Sequence, residues 1–231
     1  MTLFSPNETY LFGKTPRGDP RRRKKLRWLR LHPEDYRQMP WKNGGGVTEE
    51  IALDPPGGSW EGPSRILWRI SMAQVASSGP FSLFPGYDRL LAILDGVELE
   101  LRVEGKEPER LSPREGVGSF PGDVPTEGVL LGPPCRDFNL VVDRARGEAT
   151  LRFVSLDEEE ILRSKKSVGI LFAVQGEVGG RGPSPEGEPF ALSPGDCLLW
   201  RREEGDPEAF FELRELRGPR WALWGEILIK I

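Results

Sequence analysis

Apolar and polar side chains alternate along most of this chain, and this period of two is typical of β-strands. Such runs cover residues 26–31, 47–53, 67–75, 89–94, 97–103, 135–142 and 149–156. Asp95-Gly96 stands between two of these runs, which predicts a hairpin turn. Only residues 157–163, with acidic residues in their first turn, predict a helix. The pattern therefore predicts an all-β protein with few short helices.

Two features of the strand pattern recur about 80 residues apart. Leu91 to Gly96 is echoed by Leu171 to Gly176, and Leu111-Ser112-Pro113 by Leu192-Ser193-Pro194. A repeat at a nearly constant offset predicts a duplicated β module. We expect a first module over 26–150 and a second over 151–231, with an exchange of strands between them left open.

Charge and composition narrow the class of protein. Residues 1–30 carry nine Lys or Arg against two Asp or Glu, although the whole chain has a net charge of −4. We read residues 1–25 as a flexible basic leader, with a nucleic-acid contact or an over-long start as alternatives. No run of 18 apolar residues and no secretory signal is present, which predicts a cytoplasmic protein. Few Asn and Gln beside many Glu, Arg and Pro fit a protein from a hot environment.

The sequence contains few residues of the types that usually bind transition metals. His32 is the single histidine, and we expect it in a loop. Cys135 and Cys197 lie far apart without CxxC spacing, so buried thiols are favoured over a disulfide or a metal site. We therefore predict no metal and no cofactor.

The stretch from Met39 to Ile51 contains three consecutive glycines, which are costly to order. Either it is a tight turn with an exposed lysine, or it is a binding loop mounted on a strand. Strand parity places Val47, Ile51 and Leu53 on one face, and Thr48, Glu50 and Ala52 on the other. Arg69 and Ser71 likewise share a face of the next strand. We therefore predict an ion pair between Glu50 and Arg69 that lines a cavity.

The order of strands, glycine turns and Pro-Gly-Asp turns, at 121–123 and 194–196, resembles the cupin barrel. Four ordered blocks are similar to the HutD/Ves family: 40–51, 68–75, 79–89 and 132–139. One departure is the segment 141–144, where the family tends to have a basic pair. The resemblance implies a bicupin, with two cupin-like barrels of the RmlC-like jelly-roll type, but without the usual histidine metal ligands.

The resemblance to HutD/Ves implies a role in histidine utilisation. We expect a non-enzymatic sensor or regulator that binds a small carboxylate such as urocanate, formiminoglutamate or N-formylglutamate. A metal-independent hydrolase or isomerase is the alternative, with Glu50 as base and Lys42 or Arg69 as electrophile. Nucleic-acid binding ranks last, no membrane partner is expected, and a homodimer is compatible with the sequence. The expected ligand-binding residues are Trp41, Lys42, Asn43, Thr48, Glu50, Arg69, Ser71, Phe81, Phe84, Arg89, Asp137 and Asn139.

Overall fold

The computed structural model describes residues 27–41, 46–156, 159–182 and 187–230. Within these ranges the chain is almost entirely β, with a single 3-10 turn at Pro33–Asp35. None of the described segments is a helix with the length and apolarity that a membrane crossing needs. The predicted all-β class is confirmed.

The strands follow the predicted runs to within about two residues at each end. They are β1 (Arg27–Leu31), β2 (Arg37–Pro40), β3 (Gly46–Asp54), β4 (Trp68–Val75), β5 (Gly79–Pro80), β6 (Tyr87–Asp95), β7 (Leu99–Val103), β8 (Glu109–Leu111), β9 (Gly118–Pro121), β10 (Thr126–Leu130), β11 (Cys135–Asp143), β12 (Gly147–Ser155), β13 (Glu160–Ser164), β14 (Val168–Gly182), β15 (Glu188–Leu192), β16 (Cys197–Arg201) and β17 (Ala209–Ile229).

The chain divides into two compact units. Residues Tyr36–Phe153 form the body of one, the central unit, and Val154–Ile229 joins the segment ending at Asp35 in the other, the terminal unit. Strand β1 pairs with β16, so residues 27–31 belong to the terminal unit rather than to the first module. This is an exchange of the kind that the sequence leaves open.

The central unit contains two antiparallel sheets. One has six strands in the order β2-β3-β4-β11-β6-β9, and the other has four in the order β5-β10-β7-β8. Leu91 and Ile93 of the larger sheet and Leu99 and Leu101 of the smaller one belong to a single buried cluster. The core therefore lies between the sheets, as in a cupin-like sandwich. Neither sheet closes on itself.

The terminal unit is built on the sheet order β1-β16-β14-β17, with β13 on β17 and β15 on β14. Its core is rich in aromatic rings, among them Trp200, Phe211 and Trp224. The predicted helix at 157–163 is wrong where the structure describes it, because residues 160–164 form β13. Leu162 is buried there and Ile161 is exposed, which is the period of a strand.

Gly96 lies between β6 and β7 with φ 90°, as the predicted hairpin requires. Gly176, its predicted counterpart, has φ 71° but lies inside the continuous strand β14. The pairing of β14 with β17 shifts register on both sides of it, between Ala173 and Val178. The second glycine therefore accommodates an irregular stretch of a long strand and does not turn the chain.

A bulge in β3 changes the predicted strand faces. Glu50 and Ala52 pair with consecutive residues of β4, so Ile51 is an extra residue. Beyond it the parity reverses, and Leu53, which pairs with Arg69, lies on the side of Glu50. The prediction that Leu53 lies on the face opposite Glu50 is therefore wrong. The prediction that Ala52 shares the face of Glu50 is wrong for the same reason.

Candidate functional site

One face of the six-stranded sheet carries most of the polar residues that the sequence singles out. Directly paired residues on neighbouring antiparallel strands point to the same side. Ser71 pairs with Glu50 on one side and with Asn139 on the other. The adjacent row runs through Arg69 and Arg89 and ends at Phe120. Cross-strand pairing thus brings together β3, β4, β11 and β6 in two neighbouring rows, Glu50–Ser71–Asn139–Leu91 and Leu53–Arg69–Val141–Arg89–Phe120.

Glu50 and Arg69 form the ion pair that strand parity predicts. Arg69 Nε donates to Glu50 Oε2 over 2.8 Å. The side chain of Arg69 is only 9% exposed and that of Glu50 only 14%. Burial lowers the pKa of Arg69, and the Glu50 carboxylate opposes that shift. Nη2 of Arg69 is buried without any hydrogen-bond partner among the described residues. One donor arm of this guanidinium is therefore left for another acceptor.

Arg89 is a buried cation without a carboxylate within ion-pair distance among the described residues. Nε and Nη2 donate to Asn139 Oδ1 over 3.3 and 3.1 Å, and Nη1 donates to the Ser82 carbonyl over 3.2 Å. Burial, with a smaller effect from the positive charge of Arg69, lowers the pKa of Arg89 to about 10 against the opposing effect of Asp137. The guanidinium is thus held by neutral acceptors.

Three phenylalanine rings surround the Arg89 guanidinium. The ring centroids of Phe81, Phe84 and Phe120 lie 5.2, 5.2 and 4.9 Å from its central carbon. These are cation–π distances, and they hold the charge in a poorly solvated position. Phe81 and Phe84, two of the expected ligand-binding residues, thus lie beside Arg89.

Asp137 lies on the same sheet face, beside Asn139. Its Oδ1 accepts a hydrogen bond from the backbone N–H of Ala73 over 3.1 Å. Burial raises the pKa of Asp137 to about 7, against the opposing effects of Arg89 and the hydrogen bonds. This carboxyl group is therefore only partly ionised near neutral pH and neutralises Arg89 incompletely.

Ser71 lies on the same face of β4 as Arg69, in the neighbouring row between Glu50 and Asn139. Its residue is buried, yet no hydrogen bond involves its hydroxyl within the part of the chain that the structure describes. A hydroxyl both donates and accepts. Together with the free arm of Arg69, it offers a second uncommitted polar group on this face.

Trp41, which directly follows β2, makes hydrogen bonds to the start of β3. The indole Nε1 donates to Thr48 Oγ1 over 2.8 Å, and the backbone N–H of Trp41 donates to the Gly46 carbonyl over 2.9 Å. A Cβ on Gly46 would lie 2.2 Å from the Gln74 carbonyl oxygen, so this glycine allows a close backbone approach. The Trp41 indole and the Thr48 hydroxyl are thus hydrogen-bonded to each other. Lys42 and Asn43 lie outside the described residues.

Two contributors to the site were missed from the sequence. Phe120 directly precedes the Pro-Gly-Asp turn at 121–123, and it pairs directly with Arg89. Trp60 stands in the Gly-rich segment between β3 and β4, and its ring lies 5.7 Å from the Arg69 guanidinium carbon. Strand parity would have found Phe120 once its partner strand was known, whereas no sequence pattern marked Trp60.

His32 does lie outside the strands, as predicted, but its imidazole is engaged. Nδ1 lies 2.9 Å from Asp196 Oδ1, and Arg30 Nη2 donates to Oδ2 of the same buried carboxylate over 2.7 Å. The backbone N–H of Ser193 also donates to Asp196. This cluster holds β1 to the turn before β16 within the terminal unit. Among the described residues, no group of three or more His, Cys, Asp or Glu is placed to hold a metal ion.

Comparisons with known proteins give a family and two close relatives. The family model described as HutD matches residues 33–215. An uncharacterised 21.2 kDa protein in the hutC 3′ region of Pseudomonas putida is 38% identical over 178 residues, which are 77% of this chain and 87% of the relative. The structure of HutD from Pseudomonas fluorescens SBW25, in a formate condition, has a TM-score of 0.72 and 31% identity, and the match covers 89% of this chain and 100% of that one.

A more distant structural likeness bears on the fold alone. A cupin 2 conserved barrel domain protein from Leptotrichia buccalis has a TM-score of 0.50 at 12% identity, covering 80% of this chain and 89% of the other. The cupin-like character predicted from the turns and hairpins is thereby supported. At this level of identity the likeness carries no information about chemistry.

Proposed function

Because the chain belongs to the HutD family, we propose that it is a non-enzymatic protein that binds a small carboxylated intermediate of histidine utilisation and acts as a sensor or regulator. The relative from the hutC 3′ region supports this metabolic context. The observation that carries the proposal is the state of Arg89, a buried guanidinium whose hydrogen-bond partners are all neutral.

The charge balance of the sheet face favours an anion. Arg69 and Arg89 contribute two positive charges, Glu50 is committed to Arg69, and Asp137 is only partly ionised near pH 7. A buried charge without a partner costs several kcal/mol. An incoming carboxylate offsets part of that cost, and it gains more from a poorly solvated cation than it would at the surface.

The hydrogen-bond donors that remain free suit a carboxylate. Arg69 Nη2 and the Ser71 hydroxyl are uncommitted on a face that also carries Arg89 and Asn139. Arginine offers a planar fork that matches two carboxylate oxygens. Asn139 adds an amide that can recognise a formyl or imino group on the same ligand. Formiminoglutamate and N-formylglutamate combine carboxylates with such a group, and urocanate combines a carboxylate with an imidazole ring; these are the ligands to try.

We also infer that the two units descend from one cupin-like module, which is the bicupin reading of the sequence. The offset of about 80 residues between Leu111-Ser112-Pro113 and Leu192-Ser193-Pro194 supports it. On this reading the central unit carries the ligand site. The terminal unit has instead filled its core with the aromatic cluster around Trp200.

A thermal melt with added ligand tests the proposal. A ligand at a hundredfold excess over its Kd stabilises the native state by about 2.7 kcal/mol. For a chain of this length each kcal/mol moves the midpoint by roughly 2–4 °C, so a shift of about 5–10 °C is expected. Acetate and glutamate serve as control ligands.

Arg89→Lys is the matched variant, because it keeps the charge and loses the fork. Measured against its own ligand-free melt, it should lose most of the ligand-induced shift, whereas Arg136→Lys, on an exposed arginine, should keep that shift. If no histidine-pathway acid shifts the wild-type melt at millimolar concentration, the proposal fails. Consumption of the ligand, followed by mass spectrometry, would replace it with the enzymatic alternative.

A further inference from the structure

Trp60 occupies a defined place beside the guanidinium of Arg69. Its ring centroid lies 5.7 Å from the Arg69 guanidinium carbon. It also packs against Phe84, with centroids 4.3 Å apart and planes tilted by 38°, and edge-on against Tyr87 at 5.2 Å. The residue is neither fully buried nor fully exposed. Trp60 is thus an aromatic wall with one part in contact with the core and another accessible.

The segment that carries Trp60 is held by its own hydrogen bonds. The Ile66 N–H donates to the Ser59 carbonyl over 2.9 Å, and the Ser59 N–H donates to the Ser64 carbonyl over 3.1 Å. The Gly58 N–H donates to the Pro55 carbonyl over 2.9 Å. This tight loop presents the indole at a set position, which is what a recognition residue needs.

The free donor of Arg69 lies in the same neighbourhood. Nη2 is buried and unpartnered among the described residues, and it belongs to the guanidinium that faces the indole. Phe84, which stacks on Trp60, is also 5.2 Å from the Arg89 guanidinium carbon. The two aromatic rings therefore form a continuous ledge between the two cations. A carboxylate that reaches Nη2 has this ledge as its neighbour.

We propose that Trp60 is a specificity-determining residue of the Arg69–Arg89 site, and that it selects carboxylates joined directly to a flat, π-bonded group. This inference rests on the proposed function and adds the class of ligand. A conjugated acid is rigid, so it loses little conformational freedom on binding, and its flat body can pack on the ledge. A saturated acid of the same charge must give up rotational freedom to make the same contact.

A purely structural role for Trp60 makes a different prediction. If the indole only stabilises Phe84 and Tyr87, its removal lowers the melting temperature and weakens all carboxylates equally. If it selects the ligand, its removal changes the ratio of affinities between a flat acid and its saturated counterpart. The ratio is therefore the informative quantity.

The test compares trans-cinnamate with 3-phenylpropanoate, which differ by one double bond and carry the same charge, by isothermal titration calorimetry. In the wild type we expect cinnamate to bind about two- to tenfold more tightly, the range typical of one aromatic contact. Trp60→Leu should bring the ratio close to one, and Trp60→Phe should keep part of it. Trp28→Phe, in the terminal unit, removes a tryptophan away from the site and should leave the ratio unchanged.

A wild-type ratio near one, or a ratio that survives Trp60→Leu, overturns the inference. Circular dichroism establishes that each variant is folded, and Trp60→Phe decides the matter if the leucine variant is not. If neither acid binds the wild type, the inference also falls. The proposed function is then judged separately, by the histidine-pathway acids, because these can bind through Arg69 and Arg89 alone.

Discussion

Removal of the carboxylate from the Glu50–Arg69 pair should destabilise the protein far more than its single charge suggests. The Glu50→Gln substitution keeps the shape and an acceptor for Arg69 Nε, which now lies 2.8 Å from Glu50 Oε2. It leaves Arg69 charged, about nine-tenths buried, and already short of one partner at Nη2. The native state must then hold an uncompensated cation.

The magnitude follows from the geometry. Two charges with centres about 4 Å apart interact by about 4 kcal/mol at an effective dielectric constant of 20. Single removal of one partner of a buried pair costs about 3–5 kcal/mol. At roughly 2–4 °C per kcal/mol, the melting midpoint should fall by about 6–20 °C. The double variant Glu50→Gln/Arg69→Met removes both charges and should recover most of that loss, because well-packed replacements of buried pairs are often neutral.

Urea unfolding of the two single variants and the double variant gives the coupling energy directly. Asp95→Asn is the matched control, because it breaks the pair of Asp95 with Arg136, whose side chains are 44% and 50% exposed. That loss should not exceed about 1 kcal/mol. This prediction would be contradicted if Glu50→Gln lowered the free energy of unfolding no more than the control does, or if the double variant were less stable than Glu50→Gln. Either result would show that a charged Arg69 without its carboxylate costs the native state little.

Three further predictions concern other parts of the chain. Burial raises the pKa of Asp137 above that of the unfolded chain, so the native state binds the extra proton and stability should fall as pH rises from about 4 to 7. Asp137→Asn should flatten that decline in pH-dependent melts; an unchanged slope would contradict it. Gly46→Ala should cost about 1–3 kcal/mol, since its Cβ meets the Gln74 carbonyl, whereas Gly79→Ala, with nothing within 4 Å, should be nearly neutral. Deletion of residues 1–25 should move the melting midpoint by no more than about 2 °C; a larger drop would make them part of the fold.

The strands of the sheet, and the placement of Glu50, Arg69 and Ser71 on one face, follow from the alternation of residues along each strand. Alternation predicts β4 and β11, and parity on β4 is enough to place Arg69 and Ser71 together. Glu50 is placed correctly because it precedes the bulge at Ile51, and Leu53 is misplaced because it follows the bulge. An extra residue in one strand depends on pairing with the partner strand, which a single sequence does not display.

Long-range placement accounts for the remaining differences. The helix predicted at 157–163 rested on acidic residues in one turn, whereas pairing with β17 imposes the strand period on residues 160–164. Trp60 comes next to Arg69 only because its loop folds back between β3 and β4. Arg89 is expected from the sequence to bind the ligand, but its burial is not. Phe81 and Phe84 come from the segment just before β6, whereas Phe120 reaches Arg89 only through the pairing of β9 with β6.

The central claim is that the face carrying Arg69, Ser71 and Arg89 is a carboxylate site. A crystal structure with saturating N-formylglutamate, urocanate or formiminoglutamate tests it most directly. The account predicts a ligand carboxylate oxygen within hydrogen-bond distance of Arg69 Nη2 or the Arg89 guanidinium, with the Ser71 hydroxyl or Asn139 amide turned toward the ligand. Well-ordered side chains with no ligand on this face, or a ligand bound elsewhere on the chain, would contradict it.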